Sequence, residues 1–343
     1  AVLKKIILLT SIALIFLLIY WLSFIFYINP RNYLRKEAEI FLNRVNNELS
    51  QICKSFDGRF YFVLKDLYNP YIYLSKDGQK PLIAASLIKV PIMVAVFYAI
   101  DKGKLNFNDK FIIEKKDITN GSGKLKYLKL PQQFSLAQLI EFMIAESDNT
   151  ATNKIIDILG FDYINGIFKE IGLRETVLNR KIMDLSARRK GIENYISLND
   201  LILIYEDIYY GKILNPQYSK LMLYYLKRQK ISDRIPKFLP NNVTVAHKTG
   251  LEKNVVGDGG IIFSDRGDYI LCIAVECGSY SEGKDFIAKI SLMVYNAFKN
   301  VRLNIENKRS NKIIDKFIKF HRLIKNQLPL KERRNDEHFQ LFA

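Results

Sequence analysis

The stretch Leu82-Ile83-Ala84-Ala85-Ser86-Leu87-Ile88-Lys89-Val90-Pro91-Ile92-Met93-Val94 places one hydroxyl and one amine, three residues apart, inside an otherwise apolar run. Residues three apart on a helix share a face, so Lys89 stands one turn beyond Ser86. A serine hydroxyl is a weak nucleophile until a base takes its proton. Lysine becomes such a base when burial or a second cation destabilises its ammonium, and the apolar flanks promise the burial. At a helix start, Ser86 also lies where backbone N–H groups point outward and help to hold an oxyanion. Alone the pattern says little: Ser281-Glu282-Gly283-Lys284 repeats it, where capping of the last helix is the expected role.

Two further motifs change its weight. Ser147-Asp148-Asn149 falls between two helical patterns, and Lys248-Thr249-Gly250 follows a strand pattern; each occurs once in the chain. Separately they read as an N-cap cluster and as a strand end before a turn. Together they bring what a serine–lysine pair lacks. One adds a hydroxyl that relays a proton; the other adds a cation that holds a carboxylate and depresses the neighbouring lysine.

Outward from these motifs, strand-like runs occur at Arg59–Lys65 and Tyr71–Lys76, then at Val243–His247, Gly259–Ser264 and Tyr269–Cys277. Between them lie helical patterns at Ala84–Lys102, Leu136–Glu146, Ala151–Leu159, Tyr163–Ile171, Leu198–Tyr210 and Tyr218–Lys227, with a last helix from about Lys284 to Lys299. A helix from Tyr33 to about Ile52 presents Leu34, Ala38, Phe41, Leu42, Val45 and Leu49 as one stripe. Strands at both ends with helices between predict an α+β fold: one antiparallel sheet flanked by helices, plus an all-helical subdomain over about 109–234.

In this order and at close to this spacing, the three motifs resemble those of class A β-lactamases and their penicillin-binding relatives. The likeness runs from about Tyr33 to Lys299 and takes in Asn149-Thr150-Ala151-Thr152-Asn153, Gly172-Leu173, and Thr176, Leu178 and Arg180. It implies the β-lactamase/transpeptidase-like fold and an acyl-enzyme on Ser86, formed from a β-lactam or a D-alanyl peptide-like amide. Lys89 then accepts the proton with Lys248 beside it, and Ser147 passes one to the leaving nitrogen. Asn149 binds a substrate amide, while Lys248 and Thr249 bind its carboxylate. The N–H groups of Ser86 and Leu251 form the oxyanion hole, and Gly250 lets substrate backbone lie against the strand.

One part of the family pattern is missing. Class A β-lactamases carry a glutamate in an Arg-x-Glu-x-x-Leu-Asn stretch that activates water to release the acyl group. Here Arg180-Lys181-Ile182-Met183-Asp184-Leu185-Ser186 keeps Arg180 and Leu185 but has Ile182 at the glutamate position and Ser186 at the asparagine. Isoleucine takes no proton, so slow deacylation is expected. Asp184 is a possible deacylation base if the loop is re-routed, with Glu175 and Glu193 as further candidates. The alternatives are a penicillin-binding D,D-peptidase acting on peptidoglycan and a non-catalytic wall-binding or sensor module.

The ends point to a membrane. Residues 1–32 hold an uncharged apolar run from Ile6 to Ile28, long enough to cross a bilayer of roughly 30 Å, with no small-residue cleavage site after it. Lysines precede it and Arg31, Arg35 and Lys36 follow, so flanking charge does not fix its direction. A single-pass anchor with residues 33–300 as an extracytoplasmic domain is the expectation. Residues 301–343 form a basic tail in which Ile313, Ile314, Phe317, Phe320, Leu323 and Ile324 recur at helical spacing. The tail is read either as a membrane-surface helix or as one packed on the domain.

The formal net charge of +17 favours anionic partners. Among these nucleic acid fits least, for no zinc-finger spacing, RNP-like stretch or P-loop is present. Three cysteines, Cys53, Cys272 and Cys277, give no disulfide framework; the latter two point to opposite faces of one strand. No metal or organic cofactor is implied.

Overall fold

The computed structural model describes residues 2–306 apart from residue 266; of the side chains, those before residue 34 are described only in part and those after residue 298 not at all. A long helix α1 (Val2–Cys53) leads to strands β1 (Gly58–Asp66), β2 (Tyr73–Lys76) and the short β3 (Leu82–Ile83). A 3-10 turn, Ala85–Ile88, enters α2 (Lys89–Asp101); β4 (Lys110–Ile113) and β5 (Gln132–Ser135) then bracket a loop. The helices α3 (Leu136–Ala145), α4 (Asn149–Leu159), α5 (Phe161–Glu170) and α6 (Leu185–Arg189) follow, then β6 (Tyr195–Ile196), α7 (Leu198–Tyr209) and α8 (Pro216–Lys227). The chain returns to the sheet with β7 (Thr244–Glu252), β8 (Val255–Phe263) and β9 (Tyr269–Cys277), and α9 (Tyr280–Glu306) closes it.

The main sheet has five strands in the order β2-β1-β9-β8-β7, antiparallel throughout. β1 and β9 are central and buried on both faces, hence their almost unbroken apolar sequences. One face packs against α9 and the stripe Ala38, Phe41, Val45 and Leu49 of α1, with Phe41 and Phe298 in ring contact at 4.4 Å. The other face packs against the helical region around α2, whose Val90 to Phe97 are all buried. A helix apolar on every side belongs in a core. Cys272 lies in the second cluster and Cys277 in the first, and all three cysteines are free.

Helix starts follow their caps. Ser135 and Gln138 form a capping box for α3, and Asp148, Ser197 and Asn215 cap α4, α7 and α8. Ser281 is not the cap of α9; it lies inside the first turn, and Ser279 Oγ accepts from Glu282 N at 3.3 Å. β7 does not end before Lys248 but runs on to Glu252, because the hairpin partner β8 pairs with it along its whole length. The start of β8 at Val255 was hidden by Gly257, Gly259 and Gly260, which weaken a strand pattern. Packing demands the last of these: a Cβ on Gly260 would meet Ala246 O at 2.4 Å.

The predicted anchor is not reproduced: among the described residues no helix is long and apolar enough to cross a membrane. Most side chains of residues 6–28 lie outside those described, although Leu14 to Leu18, Tyr20 and Trp21 are exposed. The basic tail with Ile313 to Ile324 lies outside the described residues altogether.

Candidate active site

The site forms where the entry to α2, the α3–α4 turn, and β7 meet. The Ala84 N–H donates to Asn194 O at 2.9 Å, and β3 pairs with β6, fixing the approach to Ser86. Ala85 then takes a left-handed φ of 45°, a conformation that costs a non-glycine residue energy and clusters at functional sites. Ser86 follows, half-buried, and Lys89 opens α2 fully buried. Ser147 also has a positive φ, 53°, which turns its hydroxyl inward between α3 and α4. A Cβ on Gly123 would strike Asp148 at 2.2 to 2.4 Å, so this glycine lets the loop from β4 to β5 close over the turn. At Gly250 a Cβ would meet Leu87 Cγ at 3.0 Å and Ala85 Cβ at 3.3 Å. The space expected for substrate backbone therefore seats the Ser86 turn on β7.

Both motif lysines converge on Ser147. Lys89 Nζ donates to Ser147 O at 2.7 Å and to Asn149 Oδ1 at 2.8 Å, and stands 3.3 Å from Ser147 Oγ. Lys248 Nζ donates to Ser147 Oγ at 3.0 Å and to Thr249 O at 2.8 Å. Burial pulls Lys89 down to about 7, with Asp148 opposing. Lys248 is held well below the usual lysine range, first by burial, then by Lys89 and Arg234, against a smaller opposing pull from Asp258. A neutral Lys89 amine has two N–H groups for the two nearby carbonyl oxygens and one lone pair left for a hydroxyl. The Ser86 hydroxyl makes no hydrogen bond among the described residues; it faces a cavity of about 320 Å³ instead.

That cavity is lined by Gly121, Ser122, Asn149, Ile182, Met183, Glu193, Leu251 and Glu252 among others. Asn149 is already engaged: its Nδ2 donates to Asn120 O at 2.8 Å while its Oδ1 holds Lys89. Thr249 is buried opposite Asp258 in the β7–β8 register.

Ile182 faces the cavity, held at both backbone groups by Asn153, whose Oδ1 accepts from Ile182 N (2.8 Å) and whose Nδ2 donates to Ile182 O (3.0 Å). Asp184 is not among the cavity residues; its Oδ1 accepts from Ala187 N at 2.9 Å and caps α6. Glu175 is exposed and also away from the cavity. Glu193 does reach it, but as the partner of Arg180 (2.6 Å) and Arg188 (3.0 Å). Asp184 is thus placed at a helix start, with Leu185–Arg189 coiling directly after it.

Three groups escaped the sequence reading. Arg234 is buried, and within reach of Asp233 only as an ion pair at 3.1 Å, its Nε without a hydrogen-bond partner among the described residues. Asp258, fully buried, binds His247 Nδ1 at 2.9 Å and accepts from Ile235 N at 3.1 Å. Arg188 and Glu252 pair at 2.6 Å. The Arg188–Glu252 pair leaves no local signal, since its members lie 64 residues apart.

A family model described as the beta-lactamase enzyme family matches residues 44–298. β-Lactamase BRO-1 of Moraxella catarrhalis is 32% identical over 195 residues, 53% of this chain; the chain spans 60% of the length of that relative. Among solved structures, a β-lactamase of Sphaerobacter thermophilus is 25% identical with a TM-score of 0.69, over 75% of this chain and 97% of that one. A PBP-A variant, solved as an acyl-enzyme complex with penicillin G, is 31% identical with a TM-score of 0.69, over 76% and 97%.

Proposed function

The chain belongs to the beta-lactamase enzyme family, and we propose that it forms an acyl-enzyme on Ser86 with a β-lactam or a D-alanyl peptide-like amide and releases it slowly. One observation carries this reading: two buried, pKa-depressed amines share the Ser147 hydroxyl beside the Ser86 cavity, and no carboxylate there is free of a cation.

Lys89, about half neutral near pH 7, takes the Ser86 proton as Oγ attacks the carbonyl carbon. The developing oxyanion is held by the N–H groups of Ser86 and Leu251. Collapse expels the amide nitrogen, which receives a proton from Ser147 Oγ; that hydroxyl is replenished from Lys89 or Lys248. A substrate carboxylate at Lys248 and Thr249 raises the Lys248 pKa again and so binds against an ammonium. Release by water lacks a base, because Ile182 occupies the place where one is needed and Glu193 is held by two arginines.

This absence favours a penicillin-binding, D,D-peptidase-type activity on peptidoglycan over fast β-lactam hydrolysis. A chromogenic β-lactam tests it: a burst of one equivalent followed by slow turnover is expected, and fast multiple turnover from the start contradicts it. The apolar run before residue 29 and the exposed Leu14 to Leu18, Tyr20 and Trp21 support a membrane-held domain. Membrane-fraction assay of the full chain before and after carbonate extraction tests this; release by carbonate rejects an anchor.

A further inference from the structure

The loop from β4 to β5 brings positive charge to the cavity that its neighbouring carboxylates do not balance. From Ile118 to Ile140 the chain has Lys124, Lys126 and Lys129 but no aspartate or glutamate. Glu146, just before Ser147, is shared by two cations, Lys124 at 2.7 Å and Lys230 at 2.5 Å. Asp148, the other carboxylate at this turn, is buried and accepts from Ala151 N and Leu125 N, both at 2.9 Å. Lys126 Nζ donates to the carbonyl of Gly121, a cavity residue, and lies 4.9 Å from the ring centroid of the exposed Tyr127. Lys129 is exposed, and neither it nor Lys126 has a carboxylate partner among the described residues.

The backbone that carries these lysines is seated on the start of α4. Thr119 N donates to Thr150 Oγ1 at 2.9 Å, and Asn149 N donates to Ser122 O at 3.1 Å. Asn149, whose expected partner is the amide on the acyl side of the substrate, also bonds Asn120 O of this loop at 2.8 Å. Lys248 and Thr249, the expected holders of the carboxylate on the leaving-group side, come from β7 instead. The lysine loop therefore belongs to the acyl side of the site.

We propose that this loop selects acyl donors carrying a second anion, a carboxylate on the acyl side chain beside the amide, as an acidic peptide does. The proposal rests on acylation at Ser86 and adds the class of donor to it. Lys126 is the central residue, because its ammonium already touches a cavity residue through a neutral carbonyl. A substrate carboxylate makes the stronger, doubly charged bond in its place. Lys124, Lys129 and Lys230 add a surface field that water and salt screen, so the preference falls as ionic strength rises.

Penicillin G and carbenicillin test it, since they differ only by a carboxylate on the side-chain carbon next to the amide. The readout is the carbenicillin-to-penicillin G ratio of acylation rates, followed by intact-protein mass spectrometry. That ratio is expected to fall about fivefold between about 0.02 M and about 0.3 M sodium chloride. At low salt Lys126→Gln should lower it by about the same factor and leave penicillin G within about twofold, for glutamine still donates to Gly121 O. Lys126→Arg should restore the parent ratio. Lys36→Gln with Lys54→Gln, which removes two exposed charges from α1 on the far side of the sheet, should leave the ratio unchanged. In Ser86→Ala the same ratio is read as equilibrium affinity for the two drugs, with the same dependence on salt and on Lys126. A ratio indifferent to salt, unmoved by Lys126→Gln, or moved equally by the α1 changes overturns the proposal. Failure of both drugs to label the parent protein overturns the reading of Ser86, and the affinities measured with Ser86→Ala then decide the proposal.

Discussion

The Lys89 amine gives the most quantitative consequence of the site. Its displacement from 10.5 to about 7 by burial corresponds to roughly 5 kcal/mol of disfavoured ammonium. An ordinary lysine is neutral in only about 3 molecules per 10,000 at pH 7, whereas Lys89 is neutral in about half. If the neutral amine is the base, the second-order rate of Ser86 acylation rises about tenfold per pH unit below pH 7 and flattens above it. Stopped-flow acylation by a fluorescent penicillin, from about pH 5 to about pH 9, reads this directly. Two outcomes refute the reasoning: a rate independent of pH over that range, or one still climbing tenfold per unit beyond pH 9. Stability should move in the same sense. The folded pKa lies below the unfolded one, so the unfolded chain binds more protons between about pH 7 and pH 10.5. Stability therefore climbs with pH through that window, and below it this group's full penalty applies. Lys89→Met should remove this group's share of the climb, leaving the share due to the buried Lys248, while abolishing acylation.

Ile182→Glu should speed release of the penicilloyl group by about 10²-fold or more, since Asn153 holds the backbone there and directs the side chain into the cavity; unchanged single-turnover release counts against that placement. Asp184→Asn should leave release unaltered, because asparagine caps as well as aspartate, while Asp184→Ala should cost about 1 kcal/mol in urea unfolding. Hydrolysis lost in Asp184→Asn would show the capping account to be wrong. Gly250→Ala should slow acylation and cost about 1 to 3 kcal/mol, as its methyl would lie 3.0 Å from Leu87 Cγ; a variant with parent kinetics and stability argues that the turn is looser than described.

Much of this architecture was legible because its signals are local. α3, α7 and α8 were legible through apolar periodicity and β9 through an unbroken apolar run, while Ser135, Ser197 and Asn215 fix where the three helices begin. The three motifs were readable because each is contiguous. The hydrogen bonds of Lys89 to Ser147 and Asn149, 58 and 60 residues further on, leave no trace in the Ser86–Lys89 spacing. Other features depend on pairing across the chain and leave no local trace. The first half of β8 is held by β7 and β9 despite its glycines, and the Arg188–Glu252 contact joins residues 64 apart. The capping role of Asp184 was not legible either, because it depends on the five-residue helix that follows.

The most direct test of the account is intact-mass analysis after incubation with penicillin G, followed by peptide mapping of the adduct. The account predicts one penicilloyl group, on Ser86, persisting long after free drug is removed and absent from Ser86→Ala. An adduct on any other residue, or none at all under conditions where a known penicillin-binding protein labels fully, would contradict it.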